Sequence, residues 1–169
     1  LENLNEVVDI NTRTNLRKEP IVLHDAVTKV LQNLSAFMEK NQVAIKNNVD
    51  KKQMIWSVPA YLDSIVLNLV TNAIKYRSPD RKPIITINAK KLEQKTILSI
   101  SDNGMGIDLE RHGDKIFGMY KTFHNRKDAK GIGLYIIKNQ IEAMGGSITV
   151  NSEVDKGSTF NVYFNEKSK

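Results

Sequence analysis

Asn68, Asn72 and Lys75 are spaced by four and three residues and carry the clearest chemical signal in this 169-residue chain. On a helix advancing about 100° per residue they share a stripe about 60° wide, so two amides and an ammonium point the same way. Asparagine is a poor helix former, and two of them one turn apart beside an apolar face need a reason beyond helix formation. An amide oxygen can ligate Mg2+ and an ammonium can meet phosphate, although a pair of solvated polar residues would read alike. A second grouping is Ser101-Asp102-Asn103-Gly104-Met105-Gly106-Ile107-Asp108, behind a run rich in Ile and Leu. It reads either as an ordinary turn or as a buried acceptor whose glycines admit a ligand close to the backbone. A carboxylate accepts without donating, which suits an exocyclic amine. The third grouping, Lys130-Gly131-Ile132-Gly133-Leu134, opens a helix, where free N–H groups and the helix dipole favour an anion. It lacks the third glycine of a dinucleotide-binding fingerprint.

The amide stripe needs a helix to carry it. Tyr61, Leu62, Ile65, Val66, Leu69, Val70, Ala73 and Ile74 supply an apolar face from Pro59 to Tyr76, with Pro59 suited to the first turn. Upstream, Leu1, Leu4, Val8 and Ile10 sit near helical spacing, and residues 11–15 read as a loop. A short strand is expected from Pro20 to Leu23, then a helix capped by Asp25 with Val27, Val30, Leu31, Leu34 and Met38 inward. Val43, Ile45 and Val49 alternate as a strand, and Met54 to Trp56 is a short apolar run. Strands follow at Ile84 to Ala89 and Ile97 to Ser101, while 110–131 shows no sustained period, the mark of a functional or mobile connection. Leu134, Ile137, Ile141 and Met144 predict a helix ended by Gly145-Gly146, before strands at Ser147 to Asn151 and Thr159 to Phe164. Helices and strands mix without strict alternation, which predicts an α+β fold of two layers, a mixed and mostly antiparallel sheet with helices on one face.

Composition narrows the function classes. With 40% hydrophobic and 26% charged residues and only 9 Gly and 4 Pro, one folded domain is expected and a disordered or collagen-like chain is not. The absence of cysteine excludes a disulfide scaffold, a thiol nucleophile and Cys-ligated metal, and a reducing compartment is expected. No apolar run reaches the roughly 18 residues that span a bilayer, and Leu1 to Ile10 lacks the order of a signal peptide. The net charge of +6 collects in Lys75, Arg77, Arg81, Lys82, Lys90 and Lys91, then in Lys121, Arg126, Lys127 and Lys130. Neither group forms a continuous basic run or interleaves with aromatics, so a nucleic-acid partner is not expected.

In their order along the chain these segments resemble the catalytic ATP-binding domain of sensor histidine kinases, in the superfamily that also holds gyrase, Hsp90 and MutL. The resemblance runs from about Glu19 to Phe164. Asn68 to Tyr76 is similar to the family's N box, Asp102 to Gly106 to its first glycine box, and Ile116-Phe117-Gly118-Met119-Tyr120-Lys121 to its F box. Gly131-Ile132-Gly133-Leu134 resembles the second glycine box and Gly157-Ser158-Thr159-Phe160 the third. Five boxes in order are far more specific than any one of them. The resemblance implies the Bergerat sandwich, with three helices over the sheet, and phosphoryl transfer from Mg·ATP to a histidine. It implies Asn72 as Mg2+ ligand assisted by Asn68, Lys75 and Lys121 toward phosphate, Tyr76 against the purine and Asp102 reading its amine. Gly104, Gly106, Gly131 and Gly133 would permit close backbone approach, with Ile107, Tyr120, Lys130, Leu134 and Thr159 completing the nucleotide site.

Three positions depart from the family pattern. Ala129 and Asp155 stand where glycines are usual, and Asn68 stands where the ATPase relatives place a glutamate that activates water. An amide is no general base, so transfer to a supplied nucleophile is expected over hydrolysis. The family's acceptor histidine sits on an upstream helical hairpin. Residues 1–15 resemble the end of that hairpin and its linker, with 16–169 the catalytic domain. His24 precedes an Asp but has no helical repeat around it and reads as a surface residue near a helix cap; His112 reads as surface and His124 as a lid residue. The partners implied are the hairpin of the same kinase and a response regulator, in a dimeric, cytoplasmic or membrane-anchored full-length protein. A serine kinase of the anti-sigma-factor type, a nucleotide sensor without turnover and a basic nucleic-acid binder remain as alternatives.

Overall fold

The computed structural model describes residues 16–113, 115–118 and 133–166. Its strands are β1 (Glu19–Val22), β2 (Ala44–Asn47), β3 (Met54–Ser57), β4 (Ile84–Leu92), β5 (Lys95–Asp102), β6 (Ser147–Glu153) and β7 (Gly157–Asn165). Its helices are α1 (Leu23–Asn33), α2 (Ser35–Lys40), α3 (Pro59–Lys75), α4 (Leu109–His112) and α5 (Gly133–Ala143). Five strands form one sheet in the order β2-β4-β5-β7-β6, in which β2–β4 is the parallel pair and the other three pairs are antiparallel. This is the mixed, mostly antiparallel sheet expected, with α1, α3 and α5 as its long helices. The short strands β1 and β3 lie apart as an antiparallel pair, in register from Glu19↔Ser57 to Val22↔Met54.

Alternation along the central strands sets the core. Ile85 and Ile87 on β4, Leu98 and Ile100 on β5, and Phe160, Val162 and Phe164 on β7 all turn inward and are buried. They meet α3, whose eight apolar positions are all buried, as its spacing predicts. Pro59 opens α3, where its missing N–H costs nothing. On either side α3 packs against α1 and α5, so the amide stripe rides on the most firmly held helix of the domain.

Four local expectations are corrected. Helix α1 begins at Leu23, and Asp25 makes no capping bond but lies in the first turn, where its charge still favours the helix dipole. The run to Met38 breaks at Leu34 (φ −96°, ψ 3°), whose N–H reaches the Val30 and Leu31 carbonyls before α2 resumes. Strand β2 ends at Asn47, so Val49 is core without being strand. His24 is also less exposed than expected, its side chain 19% accessible beside Asp25. The predicted stop after α5 holds, with Gly145 at φ 79°.

Gly157 sits at φ 124°, and a Cβ there would collide with the Asp102 carbonyl oxygen of the neighbouring strand. Left-handed backbone and a backbone clash act together, so Gly157→Ala is expected to lower stability by at least about 2 kcal/mol in denaturant unfolding, with little change in the slope m.

Candidate functional site

The C-terminal half of α3, the end of β5 with the loop behind it, the start of α5 and the start of β7 enclose one pocket. Ala73, Ile107, Leu134 and Phe160 give it apolar walls, and Asn72, Tyr76, Asp102 and Ser158 supply its polar groups. Such a lining suits a flat heteroaromatic ring whose polar edge meets a few fixed partners. Among the described residues that line it, six were expected from sequence: Asn72, Tyr76, Asp102, Gly106, Ile107 and Leu134.

Asp102 ends β5 opposite Ser158. The Gly104 N–H donates to its Oδ1 at 2.8 Å, and the Ser158 N–H also bonds the carboxylate. Burial nevertheless pushes the carboxyl above its usual range, against those two bonds and the nearby Arg81 charge, all of which favour the anion. A half-buried acceptor with part of its capacity unspent therefore faces the pocket.

The loop behind Asp102 is fastened on all sides. The Met105 N–H donates to the Tyr76 carbonyl at 3.0 Å, and the Ile107 N–H to Ser152 Oγ at 2.8 Å. Ser152 Oγ is 2.7 Å from Ser158 Oγ, which joins the loop to the pocket wall. The glycines serve this packing. A Cβ on Gly104 would lie 2.6 Å from the Tyr76 carbonyl oxygen, and Gly106, at φ 71°, is pressed on the Glu153 carbonyl. What approaches these two closely is the protein's own backbone.

The Asn68 amide donates through Nδ2 to the Ser64 carbonyl at 2.8 Å, one turn back on α3. Its Oδ1 is turned toward Gly133, where a Cβ would stand 2.7 Å from that oxygen, so the second glycine box is fitted to the N box. Asn72 lines the pocket, and no hydrogen bond engages its amide among the described residues. Lys75 is half-buried near the end of α3 and is not among the lining residues.

Thr159 was expected at the nucleotide site. Thr159 faces away from the pocket, its Oγ1 2.9 Å from Ser101 Oγ on the sheet's other face, and Ser158 takes the place proposed for it. The period of two should have revealed this, because Phe160 must be inward and Ser158 shares its face. Ser152 and Arg81 carried no such signal. Tyr120, Lys121, Lys130 and Gly131, with His124 and Ala129, lie outside the described residues. Asp155 takes φ 65°, so the backbone that glycine would supply is kept by a residue that tolerates it. No described helix is long and apolar enough to cross a membrane.

Residues 57–168 match the model of the "Histidine kinase-, DNA gyrase B-, and HSP90-like ATPase" family. Over 137 residues, 80% of this chain and 17% of the relative, the chain is 35% identical to cyanobacterial phytochrome A of Nostoc sp.. It is 34% identical over 150 residues, 80% of this chain and 25% of the relative, to sensor protein SrrB of Staphylococcus aureus. The chain thus spans a quarter or less of these curated relatives. The fold is similar to that of the catalytic domain of histidine kinase ThkA, with a TM-score of 0.79 at 20% identity, over 91% of this chain and 100% of that one. Asp102, the asparagines of α3 and the glycine positions around the pocket all lie within the matched segment, and the chain belongs to the histidine kinase-, DNA gyrase B- and HSP90-like ATPase family.

Proposed function

We propose that this chain binds Mg·ATP and delivers the γ-phosphoryl group to a histidine carried on a helical hairpin of the same full-length kinase. The observation that carries the reading is the half-buried Asp102 carboxylate at an apolar pocket that also holds an asparagine amide unengaged among the described residues. In this reading Asp102 accepts from the exocyclic amine of adenine, and the Tyr76 ring and Ile107 flank the purine.

The donor set fits Mg2+ without a carboxylate cage. Among the described residues no cluster of three or more His, Asp or Glu could hold a metal. Mg2+ typically keeps several waters and binds through phosphate oxygens and one or two protein oxygens, which Asn72 Oδ1 and, behind it, Asn68 Oδ1 provide. Once bound, the ion would neutralise charge on the phosphate oxygens. Asn68 cannot take a proton from water, since its Nδ2 is spent on Ser64 and an amide oxygen is not basic at neutral pH. Lys75 and Gly133, the first residue of α5, are assigned to the phosphates, together with Lys121, Lys130 and Gly131, which lie outside the described residues.

Residues 1–15 are proposed as the end of the hairpin and its linker, and 16–169 as the catalytic domain. A response regulator downstream, a dimeric full-length kinase and a cytoplasmic site of action belong to the same proposal.

The test is γ-labelled ATP with and without a separately supplied hairpin bearing the acceptor histidine. The chain alone is expected to hydrolyse ATP slowly and to stay unlabelled. With the hairpin present, acid-labile, base-stable phosphate is expected on it, as phosphohistidine requires. Confirmed ATP binding with no transfer to a competent hairpin would point instead to a nucleotide sensor without turnover.

A further inference from the structure

Arg81 belongs to the first basic group of the chain, yet among the described residues it pairs with no carboxylate at salt-bridge distance and is spent on main chain. Its Nε donates to the Asn103 carbonyl at 2.6 Å, and its Nη2 donates to the carbonyls of Gly104 at 2.7 Å and Asp155 at 2.6 Å. From this geometry we infer that Arg81 is a positioning residue for base recognition, which sets the Asp102 carboxylate for an exocyclic amine by fixing the peptide that grips it. The inference rests on the nucleotide reading above.

One peptide unit couples Arg81 to Asp102. Asn103 C=O and Gly104 N–H belong to the same planar group and point in opposite directions. Arg81 holds the carbonyl end, and the N–H end donates to Asp102 Oδ1 at 2.8 Å. Rotation of that peptide would break both bonds together. A charged donor on the carbonyl also polarises the amide and strengthens the bond on its far side. The Asn103 side chain restrains the same residue from its own end, with Nδ2 donating to the Lys82 carbonyl and Oδ1 accepting from the Ile84 N–H, both at 2.9 Å.

The Asp155 contact extends the hold to the β6–β7 turn. The Asp155 N–H donates to the Met105 carbonyl at 2.8 Å, so Arg81 and Asp155 lock the glycine-rich loop onto that turn. Ser158, whose N–H is the second donor to Asp102, is the second residue of β7, just beyond it. One guanidinium thereby holds the segments carrying both backbone donors to Asp102. Lysine has the charge but not the planar fork that meets three fixed carbonyls.

The experiment compares ATP with purine riboside triphosphate, which lacks only the 6-amino group, by calorimetry with Mg2+ on the whole chain, with melting curves in parallel. The parent is expected to prefer ATP by about tenfold, the worth of one charge-assisted hydrogen bond. In Arg81→Ala that preference should fall to about twofold or less, with affinity for the amine-free nucleotide much less affected. In Arg81→Lys it should fall about threefold. A folded Arg81→Ala with both affinities reduced equally and the ratio intact would make Arg81 merely structural and overturn the inference. If Arg81→Ala does not fold, Arg81→Lys decides, and an unchanged ratio there is equally fatal. A parent that binds ATP without favouring it over the amine-free nucleotide also defeats the inference while sparing nucleotide binding, whereas a parent that binds neither defeats both.

Discussion

Asp102→Asn is expected to lose between about tenfold and a hundredfold in ATP affinity while keeping the fold, because the substitution changes hydrogen-bond polarity and almost nothing else. The N–H groups of Gly104 and Ser158 both point at this side chain, so an asparagine must turn its oxygen to them. Its NH2 then faces the amine of adenine, donor against donor. Stability should move the other way. Burial holds the native carboxyl above its ordinary range, so the folded protein takes up a proton at higher pH than the unfolded chain. The ionised carboxylate thus costs stability at neutral pH, and the cost is relieved as pH falls through the raised native value. A neutral asparagine escapes it, so the variant should melt at or above the parent's Tm at pH 7 and should lose the parent's relative gain toward acid. Calorimetry with ATP and melting curves across pH check both halves, and an Asp102→Asn protein that bound ATP like the parent would remove Asp102 from base recognition.

Asn72→Ala should act on the other end of the nucleotide. Mg2+ is expected to strengthen ATP binding to the parent and to do so much less for the variant, since Asn72 Oδ1, the pocket-lining one of the two metal-directed oxygens, is gone. Transfer to the hairpin should drop by about a hundredfold or more, as for a group that acts on the transferring phosphoryl. ADP affinity without metal should stay close to the parent's, because Asp102 and the apolar walls are untouched. Titrations with and without Mg2+ separate these effects, and an equal loss with and without the metal would show that Asn72 supports the pocket rather than the ion.

Local and periodic features were the ones legible beforehand. Helix α3 was readable because its apolar residues repeat at three and four, and the same arithmetic put Asn68, Asn72 and Lys75 on one edge. Asp102 stood out because a carboxylate ends a hydrophobic strand shortly before Gly104 and Gly106. Gly104 and Gly106 were expected to admit a ligand close to the backbone, whereas the atoms a side chain would strike there are the Tyr76 and Glu153 carbonyls. What stayed hidden depends on which strands meet. Arg81 lies 22 positions before Asn103 and 74 before Asp155, and no spacing rule joins them. The separate β1–β3 pair and the break at Leu34 are likewise tertiary outcomes that override propensity. The pocket-facing residue at the start of β7 was also legible, because strict alternation from Phe160 points to Ser158 rather than Thr159.

The pairing of β5 with β7 also governs when the site comes into being. A chain emerging from the ribosome completes α3, β4 and β5 first, and the asparagine stripe and Asp102 are by then already in place along it. Ser158 and Phe160 arrive on the last strand, and Leu134 on the last helix. Closing the connection between Asp102 and Ser158 must precede any reward from their contact, and non-local closure of this kind slows folding. Until β7 docks, the inward faces of α3 and β5 have no complete cover and the carboxylate lacks its Ser158 donor. A nascent chain interrupted before β7 would therefore carry four of the five boxes and no recognition site. Nucleotide can reward only the finished fold, and by mass action it would hold that last strand in place.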